Sequence, residues 1–359
     1  MLKKLAGFSR LMALTGLVLL AGCATTPPWP EPSATNNDVQ PASTLLEKVP
    51  FYPQEKYQCG PASLATVLNT QGLSTDPDIL KELVYIPGRE GSLQVEMVAG
   101  ARSHNMVVYP LQPEIDAVLA EVAAGNPVLV MQNLRFNWWP QWHFAVVVGY
   151  DAREEELVLN TDTRQHHRMP YKAFHAPWNR AERGAVVILP PDTLPATSEP
   201  LPWLRAAHDL ETTGHSRAAR EAYQTAQTRW PEHSAPIMAL GNLAYAQQQP
   251  QQAIEHFLKA VKLFPQAPEG WNNLAYALKQ PGKPGVAQAP LLLSASKIKQ
   301  TACPARSKTP RSNARPFPNV LPRRLEPGQA RFRNSATSFL GTSSSQPKCA
   351  ASQAKVSSR

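Results

Sequence analysis

Cys59 opens a helical pattern, Gln58-Cys59-Gly60-Pro61-Ala62-Ser63-Leu64-Ala65-Thr66-Val67-Leu68, and a later β-branched run, His143-Phe144-Ala145-Val146-Val147-Val148-Gly149-Tyr150, begins on a histidine. Pro61 suits a first helical turn because it has no N–H to leave unpaired. Leu64, Val67 and Leu68 recur at helical spacing and give that helix one apolar face. The N–H groups and positive dipole end at a helix start favour an anion, so a thiol placed there ionises more readily. Cys59 is thus a candidate nucleophile and His143 a candidate base. Their chemistry needs a helix carrying the sulfur to pack on a sheet carrying the imidazole.

The surrounding sequence is consistent with such an α+β domain over residues 47–191. Helices are expected at 60–70, 77–84, 93–104 and 114–124, the last closed by Gly125-Asn126. Strands are expected at 127–131, 143–150, 156–161 and 184–189, each β-branched and bounded by turn residues. Segment 24–46, with Pro27, Pro28, Pro30 and Pro32, reads as a Pro-rich tether. A second Pro-rich stretch marks a linker at 192–200. Beyond it, residues 201–280 repeat with a 34-residue period: Ala219, Tyr223 and Ala226 map onto Ala253, Phe257 and Ala260, and Pro231 onto Pro265. That is the period and small-aromatic-small-Pro pattern of tetratricopeptide repeats, with two full repeats and a truncated third. Such arrays stack nearest neighbours and need a closing cap, so this one should lean on the preceding domain or on a protein partner.

The motifs around Cys59 and His143 resemble the C39-like, papain-fold cysteine peptidases, which include the double-glycine leader peptidases; the resemblance rests on Tyr57-Gln58-Cys59-Gly60-Pro61-Ala62-Ser63-Leu64 and His143-Phe144-Ala145-Val146-Val147-Val148-Gly149-Tyr150-Asp151. It implies an α+β papain-like domain in which Cys59 attacks a peptide carbonyl, His143 moves the proton, and an Asp or Asn orients the imidazole. It also implies a Gln shortly before the Cys that helps hold the oxyanion. Gln54 is the first candidate, although relatives usually place this residue six positions ahead rather than five; Gln58 is the alternative. For the orienter, relatives commonly have Asp-Pro at the end of the next strand. Here Asp162 is followed by Thr163, and Asn160, two residues earlier, is the alternative on the same strand face.

Residues 1–23 carry Lys3-Lys4, an apolar run from Leu11 to Leu20, and Leu20-Ala21-Gly22-Cys23, which read as a secretory signal. Its end resembles a bacterial lipobox, implying lipidation of Cys23 and an envelope lipoprotein. Ala24 rather than Asp follows, which favours the outer membrane, facing the periplasm. That compartment is oxidising and pairs cysteines. Cys59 is the single cysteine of residues 47–191, with no evident partner there, and such a thiol is a candidate nucleophile.

Other signals are weaker. His166-His167, flanked by Arg164 and Arg168, read as a solvated basic loop rather than a metal site, and His104 and His175 as surface residues. The Trp138-Trp139-Pro140-Gln141-Trp142 cluster before His143 reads either as core or as one wall of a substrate cleft. Nothing calls for a cofactor or a metal. Residues 281–359 hold 14 Lys and Arg against the single Glu326, so the whole-chain net charge of +9 leaves −4 for the first 280. The basic balance belongs to this tail, which reads as disordered and which a frameshift in the third repeat would explain. Nucleic-acid binding by the folded part therefore has no support. The expected partners are a peptide or protein substrate, a protein bound by the repeats, and a membrane holding the lipid anchor.

Overall fold

The structure is a computed structural model and describes residues 27–30, 41–54, 58–89 and 91–279. Expectations for the signal segment, for Cys23, for most of the tether and for the basic tail lie outside these residues. Among the described residues no helix is long and apolar enough to cross a membrane.

Four helices precede or flank the first strands: α1 (Cys59–Thr70), α2 (Pro77–Val84), α3 (Gln94–Ser103) and α4 (Ile115–Ala123). Each lies within a residue or two of its expected span. α2 starts where Asp76 accepts a hydrogen bond from the Ile79 N–H at 2.9 Å with Pro77 behind it, a capped first turn. The strands are β1 (Ser43–Leu45), β2 (Val107–Pro110), β3 (Val128–Asn133), β4 (Trp142–Asp151), β5 (Glu156–Thr161), β6 (Arg164–Pro170) and β7 (Ala185–Leu189). They form one antiparallel sheet in the order β2-β7-β3-β4-β5-β6, with β1 paired to the far end of β4.

Side chains alternate along a strand, so this sheet feeds two cores. Phe144, Val146 and Val148 of β4, with Leu129 and Val158, pack with Cys59, Leu64 and Leu68 of α1 and with α2 and α3. Ala145 and Val147, with Val128, Val130 and Leu159, pack on the other side with α4 and with α5 (Tyr171–Asn179). Each buried Val, Leu or Phe contributes about 1.5–3 kcal/mol relative to an exposed one. The nearly continuous apolar run of β4 follows from being covered on both faces.

Three expectations need correction. The tether reading of 24–46 fails where Ser43–Leu45 joins β4 as β1, and where Trp29 packs edge-on against Tyr171 with ring centres 5.6 Å apart. The solvated loop at His166-His167 is the edge strand β6; its polar side chains suit an edge with one open side. His175 is buried at 8 % exposure within α5, between Tyr171 and Trp178.

The repeat segment is α6 (Pro200–Thr212), α7 (Ser216–Arg229), α8 (Ser234–Ala246), α9 (Pro250–Leu263) and α10 (Pro268–Leu278). First helices open at Pro200, Ser234 and Pro268, a spacing of 34 residues. Gly241 shows why the pattern asks for small residues: a Cβ there would lie 2.4 Å from the Phe257 ring. The array leans on the α+β domain. Trp203 and Leu210 of α6 belong to the same apolar core as Tyr109 and Val118, and Arg102 pairs with Asp209 at 2.6 Å. The 192–200 linker is fastened as well, because the buried Glu121 carboxylate accepts hydrogen bonds from the Ala196 and Thr197 N–H groups and from the Thr197 hydroxyl.

Candidate active site

Cys59 is the first residue of α1 and is 2 % exposed. Ala62 is the first residue of that helix whose N–H bonds back, to the Gln58 carbonyl at 3.1 Å, so the N–H groups of Cys59 and Gly60 sit ahead of the ladder at the positive end of the dipole. Gln58 occupies the cap position but makes no side-chain capping bond. Gly60 is required for packing: a Cβ on it would stand 2.4 Å from the Ser92 hydroxyl. The Cys59 sulfur is disulfide-bonded, and no other cysteine lies within residues 47–191. The chain's other cysteines, Cys23, Cys303 and Cys349, all lie outside the described residues. Thiolate chemistry at Cys59 therefore refers to the reduced protein.

His143 lies at the start of β4, 2 % exposed. Its Nε2 is 2.7 Å from the Thr161 hydroxyl and 3.8 Å from Asp162 Oδ1. Its Nδ1 is buried and makes no hydrogen bond among the described residues. Burial pushes the imidazole pKa below its ordinary value; the Asp162 carboxylate opposes that shift and Arg164 adds to it. A neutral imidazole with Nε2–H directed at Thr161 and Asp162 keeps a lone pair on Nδ1, the form a general base needs.

Asp162 and Asn160 do not share a face in the structure. β5 ends at Thr161, and Asp162 follows with φ +50° as the first residue of a two-residue turn into β6, so strand alternation no longer governs it. That backbone brings the carboxylate to His143 and also to Arg164, at 3.0 Å. Asn160 is used elsewhere: its Oδ1 accepts from the His166 N–H at 3.0 Å and its amide reaches the Pro50 carbonyl at 3.5 Å.

Gln54 bonds both to the Asp162 turn and to α1. Its N–H donates to the Asp162 carbonyl at 2.8 Å, and its side-chain amide donates to the Ser63 hydroxyl at 3.4 Å. Ser63 stands four residues after Cys59, one turn along the same face of α1. The Gln54 amide oxygen is buried without a partner. Sequence reasoning missed Thr161, Ser63 and Gln132. Gln132 is the cross-strand partner of His143 on β3, 2 % exposed, with an amide nitrogen that makes no hydrogen bond among the described residues. A polar residue at the end of the apolar run Val128-Leu129-Val130-Met131 was the signal for it.

Residues 46–186 match the model of the Peptidase_C39 like family, and residues 238–285 match a tetratricopeptide repeat model. No curated protein matches the chain. Among solved structures, a putative C39-like peptidase from Bacillus anthracis is 18 % identical, with 41 % of this chain and 97 % of that one covered and a TM-score of 0.33. The peptidase domain of Streptococcus ComA, a bi-functional ABC transporter, is 18 % identical over 40 % of this chain and 98 % of that one, at a TM-score of 0.32. A double-glycine-motif protease from an AMS/PCAT transporter, in complex with its leader peptide, is 18 % identical over 41 % and 96 %, at 0.28. The family models, the antiparallel sheet with its helices and the 34-residue helical pairs agree: this chain carries a C39-like peptidase domain of α+β papain-like type followed by tetratricopeptide repeats.

Proposed function

We propose that the protein is a cysteine peptidase that hydrolyses peptide bonds through Cys59 and His143, with Asp162 as orienter and Gln54 at the oxyanion. The observation that carries this reading is the His143 imidazole, tied at Nε2 by Thr161 and Asp162 and left with a buried, unbonded Nδ1. In the reduced protein, Nδ1 takes the Cys59 proton and the thiolate adds to the substrate carbonyl carbon. The oxyanion is held by the Cys59 N–H and the Gln54 amide. The imidazolium then protonates the leaving amine as the C–N bond breaks, leaving a thioester. Water, deprotonated by Nδ1, attacks that thioester, and the acid product and thiol are released. Thr161 and Asp162 stabilise the imidazolium and fix its tautomer.

The same proposal places the enzyme in the cell envelope through lipid on Cys23, at the outer membrane facing the periplasm, with the repeats presenting a surface to a protein partner. The segment Leu20-Ala21-Gly22-Cys23 supports the anchor. The test is cleavage of a mixed peptide library by reduced protein, read by mass spectrometry. New peptide termini that vanish in both Cys59→Ala and His143→Ala are expected; termini that persist in either variant would remove that residue from the reaction. A second reading, a noncatalytic docking module, is favoured by the disulfide at Cys59. In that case Cys59→Ala leaves the cellular phenotype intact.

A further inference from the structure

The loop joining β3 to β4 exposes three aromatic rings directly ahead of His143. Phe136 is 61 % exposed, Trp138 77 % and Trp139 60 %. Phe136 and Trp138 are stacked, with centres 5.5 Å apart and planes 7° from parallel, and Trp139 stands 6.1 Å from Trp138. Isolated exposed apolar residues need no explanation, but a contiguous aromatic group on one loop does.

The rings are held in place rather than left to hydrophobic collapse. Asn133, 1 % exposed, accepts the N–H groups of Arg135 and Gln141 on its Oδ1, at 3.1 and 3.0 Å. The Leu134 N–H donates to the Gln141 carbonyl at 2.8 Å, and the Trp139 N–H to the Phe136 carbonyl at 3.1 Å. Arg135 lies over the Trp139 ring and donates to Gln141 Oε1 at 2.7 Å. Arg180 of the segment after α5 closes the base by donating to the Asn133 carbonyl at 3.1 Å. A preordered aromatic surface loses little entropy on binding.

Two observations choose the occupant. Asn133 pairs with Trp142 and Gln132 with His143, so the loop is a direct extension of the strand pair that bears the proposed base. Beneath α3, the apolar cavity lined by Met97, Met131 and Phe144 measures about 20 Å³, room for one water-sized group and not for a large side chain. That cavity has no room for a large apolar side chain. A lipid headgroup surface fits less well, because the loop's one cation, Arg135, is already committed to Gln141 and Trp139.

We propose that the Phe136, Trp138 and Trp139 rings form a preformed platform that takes an apolar side chain of the peptide substrate beside the scissile bond, and so selects the substrate. This rests on the peptidase reading above. The test uses the reduced full-length chain and acetyl-tetrapeptide chloromethyl ketones in which one Phe is walked through an Ala background. Labelling of Cys59 is followed by mass spectrometry, with iodoacetamide as a side-chain-free reference. One Phe position is expected to react about tenfold faster than the all-Ala probe, the scale of an aromatic pair. In Trp138→Ala and in Phe136→Ala that ratio falls to about one, with the melting temperature holding because both rings are exposed. Equal rates at every position, or a Phe preference that survives in both variants, overturns the platform. Preference retained while Trp138→Ala loses binding to phosphatidylethanolamine–phosphatidylglycerol vesicles makes the loop a lipid contact and also overturns it. Failure of iodoacetamide to modify Cys59 at all rejects the peptidase reading, and the platform with it.

Discussion

The Glu121 carboxylate and the His143 imidazole are both almost fully out of water, and the chain surrounds them in opposite ways. Glu121 is met from all sides: Asn126, the Ala196 and Thr197 N–H groups and the Thr197 hydroxyl donate to it at 2.6–3.1 Å. Around His143 the pairing is incomplete. Its own Nδ1, the Gln132 amide nitrogen and the Gln54 amide oxygen are all buried without hydrogen bonds among the described residues. Buried polar groups are nearly always paired, because a lone one costs about 1–3 kcal/mol. A satisfied cluster is what a fastened joint requires, and Glu121 fastens the linker to the peptidase domain. The unpaired atoms of His143, Gln132 and Gln54 lie beside residues of the proposed reaction, where Glu121 has no such neighbours.

The largest effect expected on the unsatisfied side is on rate. Gln54→Ala should lower peptide hydrolysis by about 10²–10³-fold if its amide holds the oxyanion; an undiminished rate in steady-state assays would remove Gln54 from the site. On the satisfied side, Glu121→Ala strands several donors at once, and chemical denaturation should show a loss of about 3 kcal/mol. A change below about 1 kcal/mol would mean the linker is held by its apolar contacts alone.

Smaller effects sharpen the contrast. Gly241→Ala forces the Phe257 ring to move, and overpacking of this kind costs about 1–3 kcal/mol in thermal unfolding of the repeat segment. Stability should also depend on pH through His143. Its folded pKa is depressed by burial, so the unfolded chain binds the proton more readily. Its contribution is full above the unfolded value of about 6.5 and is lost as pH falls through and below it. His143→Gln should flatten the stability profile between about pH 7 and 5; an unchanged slope would place the titration elsewhere. Smallest of all, Arg102→Ala removes a partly exposed ion pair to Asp209, and the expected loss is below about 1 kcal/mol by the same measurement.

Much of this organisation is legible in the sequence. The helix at Cys59, the strand at His143 and the 34-residue repeat come from local signals: apolar spacing, Pro at a first turn and recurring small residues. The parts that were not legible depend on long-range or backbone terms. β6 was hidden because Arg164, His166, His167 and Arg168 carry no apolar alternation on an exposed edge. α5 contains Pro177, which reads as a breaker, yet near the end of a nine-residue helix Pro177 removes little of the ladder. Asp162 owes its position to φ +50°, which no side-chain pattern announces. The 192–200 stretch reads as a spacer because its partner, Glu121, lies some 75 residues away.

In the proposed reaction the incompletely paired His143 serves Cys59. The most direct test is the pH dependence of Cys59 alkylation in the reduced protein, compared with His143→Ala. The expected result is a thiol that ionises well below the free value of about 8.5 and reverts toward it when the imidazole is removed. The same ordinary ionisation in both proteins would separate His143 from Cys59 and leave the domain as a docking module.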